Sequence, residues 1–596
     1  MIAMPYAPDA WTKISAATSA VFSRDGKTVY HLRGVGLPQV WAMDRDGAHA
    51  RQLSFHGEKV AFLRRSPTDE RLIWGIDAGG DELQQFHMLE PGKGVRALTA
   101  NPEAIHDFGA WSPDGARVAY ATNDRDARFH DICVLDLESG GRIRIHEGTG
   151  ILSVSNWKSD GSLLVMMEDY SSIDQRLWLL DPQTGAARML ARPSATRYSG
   201  VRFVADGGLM GITDHGGVAF MRLCRIDARS GDVTEVFAPE GRDVEMYAIS
   251  PDGALLATVE NDRGYALLRV GPIGGERPAV AGVPTGIVSE LAWAPDSASL
   301  AFTAQGPTAP PGLFLWQGGA VTAMAVPDPL AGSGIASHDL VGFDLVSWTS
   351  FDGLAIPGWY ALPKGPRPEA GYLAVVWVHG GPAAQTRANF RADMQLLLDQ
   401  GFAVLMPNMR GSTGYGRAYL EADEVGKRPD MMQDLAAGRA WLAAQPGIDP
   451  QRIGIMGQSY GGWVVLAAVT MQPALWKAAV NYYGIADFVT LLERTGKWRR
   501  DHRAREYGFP ETDGALFQEI SPIHGVGNVV APLLVLHGDR DPRVPMYESD
   551  QFVAAMEARQ KKVRYEKFEY AGHGFIRPEH RTRVYHAVAS HFRDWL

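Results

Sequence analysis

A short turn sequence recurs seven times in the first half of the chain. It appears as "SRDG" at Ser23, "SPTD" at Ser66, "SPDG" at Ser112, "KSDG" at Lys158, "VADG" at Val204, "SPDG" at Ser250 and "APDS" at Ala294. The aspartates of these turns are Asp25, Asp69, Asp114, Asp160, Asp206, Asp252 and Asp296, spaced by 44, 45, 46, 46, 46 and 44 residues. A period of about 40–50 residues marks propellers and related arrays, in which each repeat buries its apolar face only against its neighbours. Within a repeat an apolar run precedes the turn ("FGAW") and a second follows it ("ARVAYAT"). A third run ("DICVLDL"), a Gly-rich turn ("ESGG") and a fourth run ("RIRIH") complete it. Asp-Gly and Ser-Gly between apolar runs are hairpin chemistry, because glycine accepts positive φ freely. Four strands in each of seven repeats predict a seven-bladed, all-β propeller. The even spacing argues against a sandwich array.

The pattern stops near Pro327. "PDPLAGSGIASHD" has the Gly, Pro and Ser content of a linker. Beyond it, "DLVSWTSFDGLAIPGWYALP" reads as two antiparallel strands around Asp352-Gly353. Apolar strands ("YLAVVWVHG", "FAVLMPN", "RIGIMG", "PLLVLHG") then alternate with helical patterns such as "MMQDLAAGRAWLAAQ". Fully apolar strands between helices predict a parallel sheet covered on both faces. The expected organisation is an N-terminal segment over 1–15, the propeller over 16–328 and an α/β-hydrolase domain over 329–596.

At 596 residues the chain is too long for one core. A net charge of −10 spread over that length gives no global attraction to nucleic acid or to an anionic membrane. The two cysteines, Cys133 and Cys224, form no ligand-spaced cluster, so no metal and no disulfide framework is expected. The N-terminal residues lack the basic start and apolar run of a signal peptide. No stretch of 18 apolar residues occurs. These features together lead to the expectation of a cytoplasmic protein.

"GIMGQSYGGW" places Gly457-Gln458-Ser459-Tyr460-Gly461 between a predicted strand and a predicted helix. That context makes G-x-S-x-G a nucleophile elbow. Side chains at 457 or 461 would clash where strand and helix backbones approach. A serine needs a neighbouring base. In an α/β-hydrolase the acid and then the histidine follow the nucleophile. "HGDRDPRVP" supplies Asp541, with Asp539 reserved for the turn, and "EYAGHGF" supplies His573. Ser459 is thus expected to attack, His573 to move the proton, and Asp541 to fix the imidazole tautomer. His379, His537 and His524 precede or miss the acid and read as structural. His580 and His586 fall in a terminal helical pattern. The oxyanion donors are expected at the backbone N–H of Tyr460 and of Gly381, the latter in "HGGP" after an early strand.

These residues, "HGGP", "PNMRGSTGYG", "GQSYGGW", "HGDRDPRVP" and "GHGF", occur in that order behind a propeller. The chain closely resembles the prolyl oligopeptidase family of serine peptidases, especially its acylaminoacyl-peptidase-like branch. The resemblance implies the same triad. It also implies that Arg543 binds a substrate carbonyl beyond the scissile residue, and that Val544 forms a pocket wall. His379 stands where prolyl oligopeptidase and the dipeptidyl peptidases carry tyrosine, which favours the acylaminoacyl branch. Dipeptidyl peptidases hold a free amine with paired propeller glutamates, and no Glu-Glu pair occurs in residues 1–330. Residues 486–510 are amphipathic and basic, and in this family such a segment lines the specificity pocket. Phe488 and Trp498 are its candidate pocket residues. The cluster Arg499, Arg500, Arg503 and Arg505 reads first as a charged surface, with attraction of an acidic substrate as the alternative.

The leading expectation is a serine peptidase that cleaves short peptides near a blocked or small N-terminal residue, with the propeller restricting access. A dipeptidyl or aminopeptidase, and a small-molecule esterase or amidase on the same triad, remain open. The resemblance implies no cofactor and allows a homo-oligomer, since relatives often assemble. Its partners would be short peptides, without nucleic acid or membrane.

Overall fold

A computed structural model describes residues 5–192 and 194–596. Residues 1–4 of the expected N-terminal segment lie outside the described residues. Seven small antiparallel sheets succeed one another along the first half of the chain. The first is built from Ala16–Phe22, Thr28–Gly34, Gln39–Asp44 and Arg51–Gln52, and the last from Ile287–Trp293, Ser299–Gly306, Ala309–Gln317 and Ala320–Ala323. Each of the seven repeat aspartates accepts a hydrogen bond from the N–H two residues on, such as Lys27 N to Asp25 at 3.0 Å and Ala254 N to Asp252 at 3.0 Å. This Asx turn is the reason aspartate recurs: its carboxylate replaces a backbone acceptor at the tight hairpin.

One expectation fails in the sixth blade. It has three strands, Asp243–Ile249, Leu255–Asp262 and Tyr265–Pro272, and a single bridge, Arg269 to Ala279, stands where a fourth would run. That segment carries Pro278 and Pro284, and proline cannot donate to a ladder.

Apolar clusters join each blade to the next. Leu63 and Trp74 of the second blade pack on Tyr30 and Leu32 of the first. The ring closes where Ala294, Leu313 and Met324 of the seventh blade meet Ala17, Phe22 and Met43 of the first. Among the described residues no strand is exchanged there; side-chain packing and the Arg45–Asp296 ion pair at 2.8 Å hold the seam. Cys133 and Cys224 are buried free thiols.

The second half forms one sheet of eight strands: β1 (Asp344–Thr349), β2 (Ala355–Ala361), β3 (Tyr372–Val378), β4 (Phe402–Pro407), β5 (Ile448–Gln458), β6 (Ala479–Tyr482), β7 (Leu533–Gly538) and β8 (Val563–Phe568). Their order is β1-β2-β4-β3-β5-β6-β7-β8. β1 and β2 are antiparallel, β2 runs antiparallel to β4, and every later pairing is parallel. β4 and β7 are buried along their whole length, as expected for strands covered on both faces.

The stretch with linker composition is packed. Leu330 and Ile335 within it, and Leu340 and Phe343 just after it, join an apolar cluster of the hydrolase domain. Trp11, on the short helix Pro8–Thr12, enters the same cluster. His586 on the terminal helix Pro578–Trp595 pairs with Asp9 at 2.5 Å. The two connections between domains therefore run side by side, with Ser15 N donating to Pro329 O at 3.0 Å. Among the described residues no helix is long and apolar enough to cross a membrane.

Candidate active site

β5 ends at Gln458 and a helix, Tyr460–Met471, begins two residues later. Ser459 makes that turn at φ 59°, ψ −121°, a region that a side-chain-bearing residue occupies only when its surroundings force it. The glycines explain how. A Cβ on Gly457 would lie 2.4 Å from Gly461 O, and one on Gly461 would lie 2.3 Å from Val378 O. Both positions need glycine so that β3, β5 and the helix can converge.

Ser459 Oγ lies 2.8 Å from His573 Nε2, and His573 Nδ1 lies 2.6 Å from Asp541 Oδ2. The three groups thus stand in the hydrogen-bonded order nucleophile, base, acid. Asp541 also accepts from the backbone N–H of Arg543 at 2.8 Å and of Val544 at 3.0 Å. Burial alone would raise its pKa, but His573 and His537 outweigh burial and hold the carboxyl well below its usual range. Asp539 instead accepts from Ala571 N at 3.3 Å. His537 lies behind the acid, hydrogen-bonded to Ser549 and to Val544 O. Tyr483, at the end of β6, lays its ring 4.6 Å from that of His573. Sequence reasoning missed this contact, and only "NYYG" after a strand hints at it.

Neither the Tyr460 nor the Gly381 N–H has an acceptor among the described residues. Gly381 sits at φ 135°. The backbone of Gly380 also comes close to the nucleophile: a Cβ there would lie 3.2 Å from Ser459 Cβ. The Tyr460 ring is buried between Trp463 and Tyr507, and its hydroxyl takes a hydrogen bond from the buried Arg428. Arg428 also pairs with Asp423 at 3.1 Å and donates to Glu506 O at 3.0 Å.

The expected pocket residues divide. Trp498 lines a cavity of about 730 Å³ between the propeller and the hydrolase domain, as does Arg543. Phe488 does not: it is fully buried and packs on Trp463, Tyr507 and Phe517. An aromatic on an amphipathic helix faced the core rather than the substrate. Val544 is buried too, and its visible task is the backbone hydrogen bond to Asp541. The Arg543 guanidinium pairs with Glu82 of the second blade.

Glu82 belongs to a loop, residues 77–84, that docks on the triad. Gly572, adjacent to His573, donates its N–H to Gly79 O at 2.7 Å. Arg540 lies 3.9 Å from Asp81, and Arg577 pairs with Glu58 at 2.7 Å. Asp77, Glu82, Asp107 and Asp169 all line the cavity. The adjacent glutamates sought in sequence are absent, but separate acids from three blades converge. "DAGGDE" was the one local signal, and its partners lie too far along the chain to be read with it.

The prolyl oligopeptidase family model matches residues 388–596. Residues 388–596 therefore carry the catalytic domain of that family, and the chain is a serine peptidase. Dipeptidyl aminopeptidase BIII of Pseudoxanthomonas mexicana is 28% identical over 601 residues, covering 96% of this chain and 85% of that protein. Among solved structures, a puromycin-hydrolysing peptidase of Mycobacterium tuberculosis superposes with a TM-score of 0.86 at 21% identity, covering 99% of this chain and 96% of the other. The acylaminoacyl peptidase of Pyrococcus horikoshii gives 0.76 at 18% identity, covering 100% and 98%. These two likenesses concern the fold.

Proposed function

We propose that this chain is an exopeptidase that cleaves short peptides near a free N-terminus through an acyl-enzyme. Ser459 attacks the carbonyl carbon, and His573 accepts its proton and returns it to the leaving amine. Asp541 holds the imidazole in one tautomer and stabilises its charged form. The N–H groups of Tyr460 and Gly381 receive the tetrahedral oxygen. Water then attacks the acyl-enzyme by the reverse use of His573. Arg543 holds a substrate carbonyl, and a propeller carboxylate holds the α-ammonium group.

The observation that carries this reading is the docking of the acid-bearing loop 77–84 on the His573 loop, which sets Glu82 against Arg543. A carboxylate so close to the triad suits an ammonium group a residue or two from the scissile bond. The nearly full-length similarity to a dipeptidyl aminopeptidase supports it. A second reading, removal of an acylated residue, is favoured by Arg543 and by His379 in the "HGGP" turn. Values of kcat/KM for Ala-Ala and acetyl-Ala anilides separate the two. The free amine should be preferred, and Glu82→Gln should lower that preference at least tenfold, the loss of one charge-assisted pair. Preference for the acetylated substrate, unchanged by Glu82→Gln, would overturn the free-amine reading.

A further inference from the structure

Four arginines line the cavity between the domains: Arg197, Arg499, Arg503 and Arg543. Three have carboxylate partners. Arg197 pairs with Asp214 at 2.8 Å, Arg503 with Glu506 at 2.6 Å, and Arg543 with Glu82. Arg499 has no ion pair among the described residues, and its Nε is buried without a hydrogen-bond partner. Its position is fixed all the same. Arg499 N donates to Gly496 O at 2.8 Å, and its own carbonyl accepts from Arg503 N at 2.9 Å, at the start of the helix Arg500–Tyr507. Burial, reinforced by the neighbouring Arg503 and Arg543 charges, lowers its pKa to about 10. At neutral pH it is therefore a charged group in a partly desolvated wall.

An unpaired cation in such a place is unfavourable unless something anionic joins it. Arginine is also the side chain whose fork matches a carboxylate in two hydrogen bonds. Glu82, the carboxylate whose charge reaches it, is paired with Arg543, and among the described residues none of the other cavity acids, Asp77, Asp107 and Asp169, forms an ion pair with Arg499. Arg499 follows Trp498, which also faces the cavity. Arg543, whose charge it feels, lies two residues from Asp541. A peptide whose amine sits at the propeller acids and whose scissile carbonyl sits at Ser459 passes between these groups. The segment that passes Arg499 is the one N-terminal to the cleaved bond.

We infer that Arg499 is a specificity residue that binds a carboxylate of the substrate, supplied by an acidic side chain on the N-terminal side of the scissile bond. The inference rests on the proposed function insofar as the substrate occupies this cavity. A peptide's own C-terminal carboxylate has the same chemistry, so the test must separate the two sources.

Values of kcat/KM would be measured for wild type, Arg499→Gln and Arg499→Lys. One pair of substrates is Glu-Ala and Gln-Ala anilides, which have no C-terminal carboxylate. A second is Gln-Ala-Ala with a free or amidated C-terminus. A third repeats the first pair with acetylated amines. Wild type should prefer Glu over Gln about tenfold, equivalent to about 1.4 kcal/mol. The ratio should fall to near one in Arg499→Gln, stay intermediate in Arg499→Lys, and shrink at raised salt. A wild-type ratio near one overturns the proposal even if neither variant folds. So does a preference that survives in Arg499→Gln. A preference that follows the free C-terminus instead overturns the side-chain assignment. If the acetylated substrates are the better ones but keep the Arg499-dependent Glu preference, the free-amine reading fails while this inference stands.

Discussion

The contact between the propeller and the histidine loop can be broken with one methyl group. A Cβ on Gly572 would lie 1.8 Å from Gly80 O and 2.3 Å from Gly80 C. Such contacts do not fall below 3.0 Å, so Gly572→Ala must part the two loops by about 1.2 Å. Both are backbone, and no rotamer change can absorb the overlap. The hydrogen bond from Gly572 N to Gly79 O is lost, and His573, the next residue, is carried along. A displacement of about 1 Å in a catalytic group costs on the order of 100-fold in rate. Gly572→Ala should therefore lower kcat/KM on Ala-Ala anilide about 100-fold, and slow fluorophosphonate labelling of Ser459 as well. Gly80→Ala is the control. Its Cβ would lie 3.4 Å from Gly572, so it carries only the strain of a positive φ. Near-wild-type turnover by Gly572→Ala, with an unchanged melting temperature, would refute the claim that the propeller loop positions the base.

Ser459→Ala should lower kcat on the order of 10⁶-fold, and Asp541→Asn about 10⁴-fold through the wrong tautomer; single-turnover assays check both. Trp11→Ala removes a fully buried indole from the cluster that ties the N-terminal helix to the hydrolase domain. It should cost about 3–5 kcal/mol, read by denaturant unfolding. Burial, with Glu506 and Asp423 nearby, pushes Glu424 up to about 8. Its folded pKa is above the unfolded value, so its contribution favours the fold below about pH 4.5 and declines as pH rises to about 8. Glu424→Gln should accordingly raise the melting temperature at pH 8 relative to wild type and flatten its decline between pH 5 and 8. An identical pH profile would contradict this.

The propeller was legible because one local device, the Asx turn, is used in all seven repeats and leaves aspartate at a regular spacing. Its one irregular blade was not, since prolines interrupt a strand without disturbing the period. Ser459, Asp541 and His573 could be picked out because each follows a strand of a parallel sheet, where chain order and position combine. What escaped was everything created by two distant segments meeting. Glu82 and Arg543 come together only because the propeller sits on the hydrolase domain. The Gly-rich connection near Leu330 read as a linker because its apolar residues are sparse, yet they reach one cluster with Trp11. Phe488 was misplaced because an aromatic on a mixed helix has two faces to choose from, and the face toward Trp463, Tyr507 and Phe517 offered the larger core.

The central claim is that a Ser459 peptidase works from a free N-terminus beneath the propeller. The most direct measurement is product mapping by mass spectrometry on one hexapeptide in free and N-acetylated forms, with wild type and Ser459→Ala. The account predicts that wild type releases one- or two-residue fragments from the free end, leaves the acetylated peptide largely intact, and that Ser459→Ala does neither. Release of an acetylated residue, or cleavage in the middle of the chain, would contradict it.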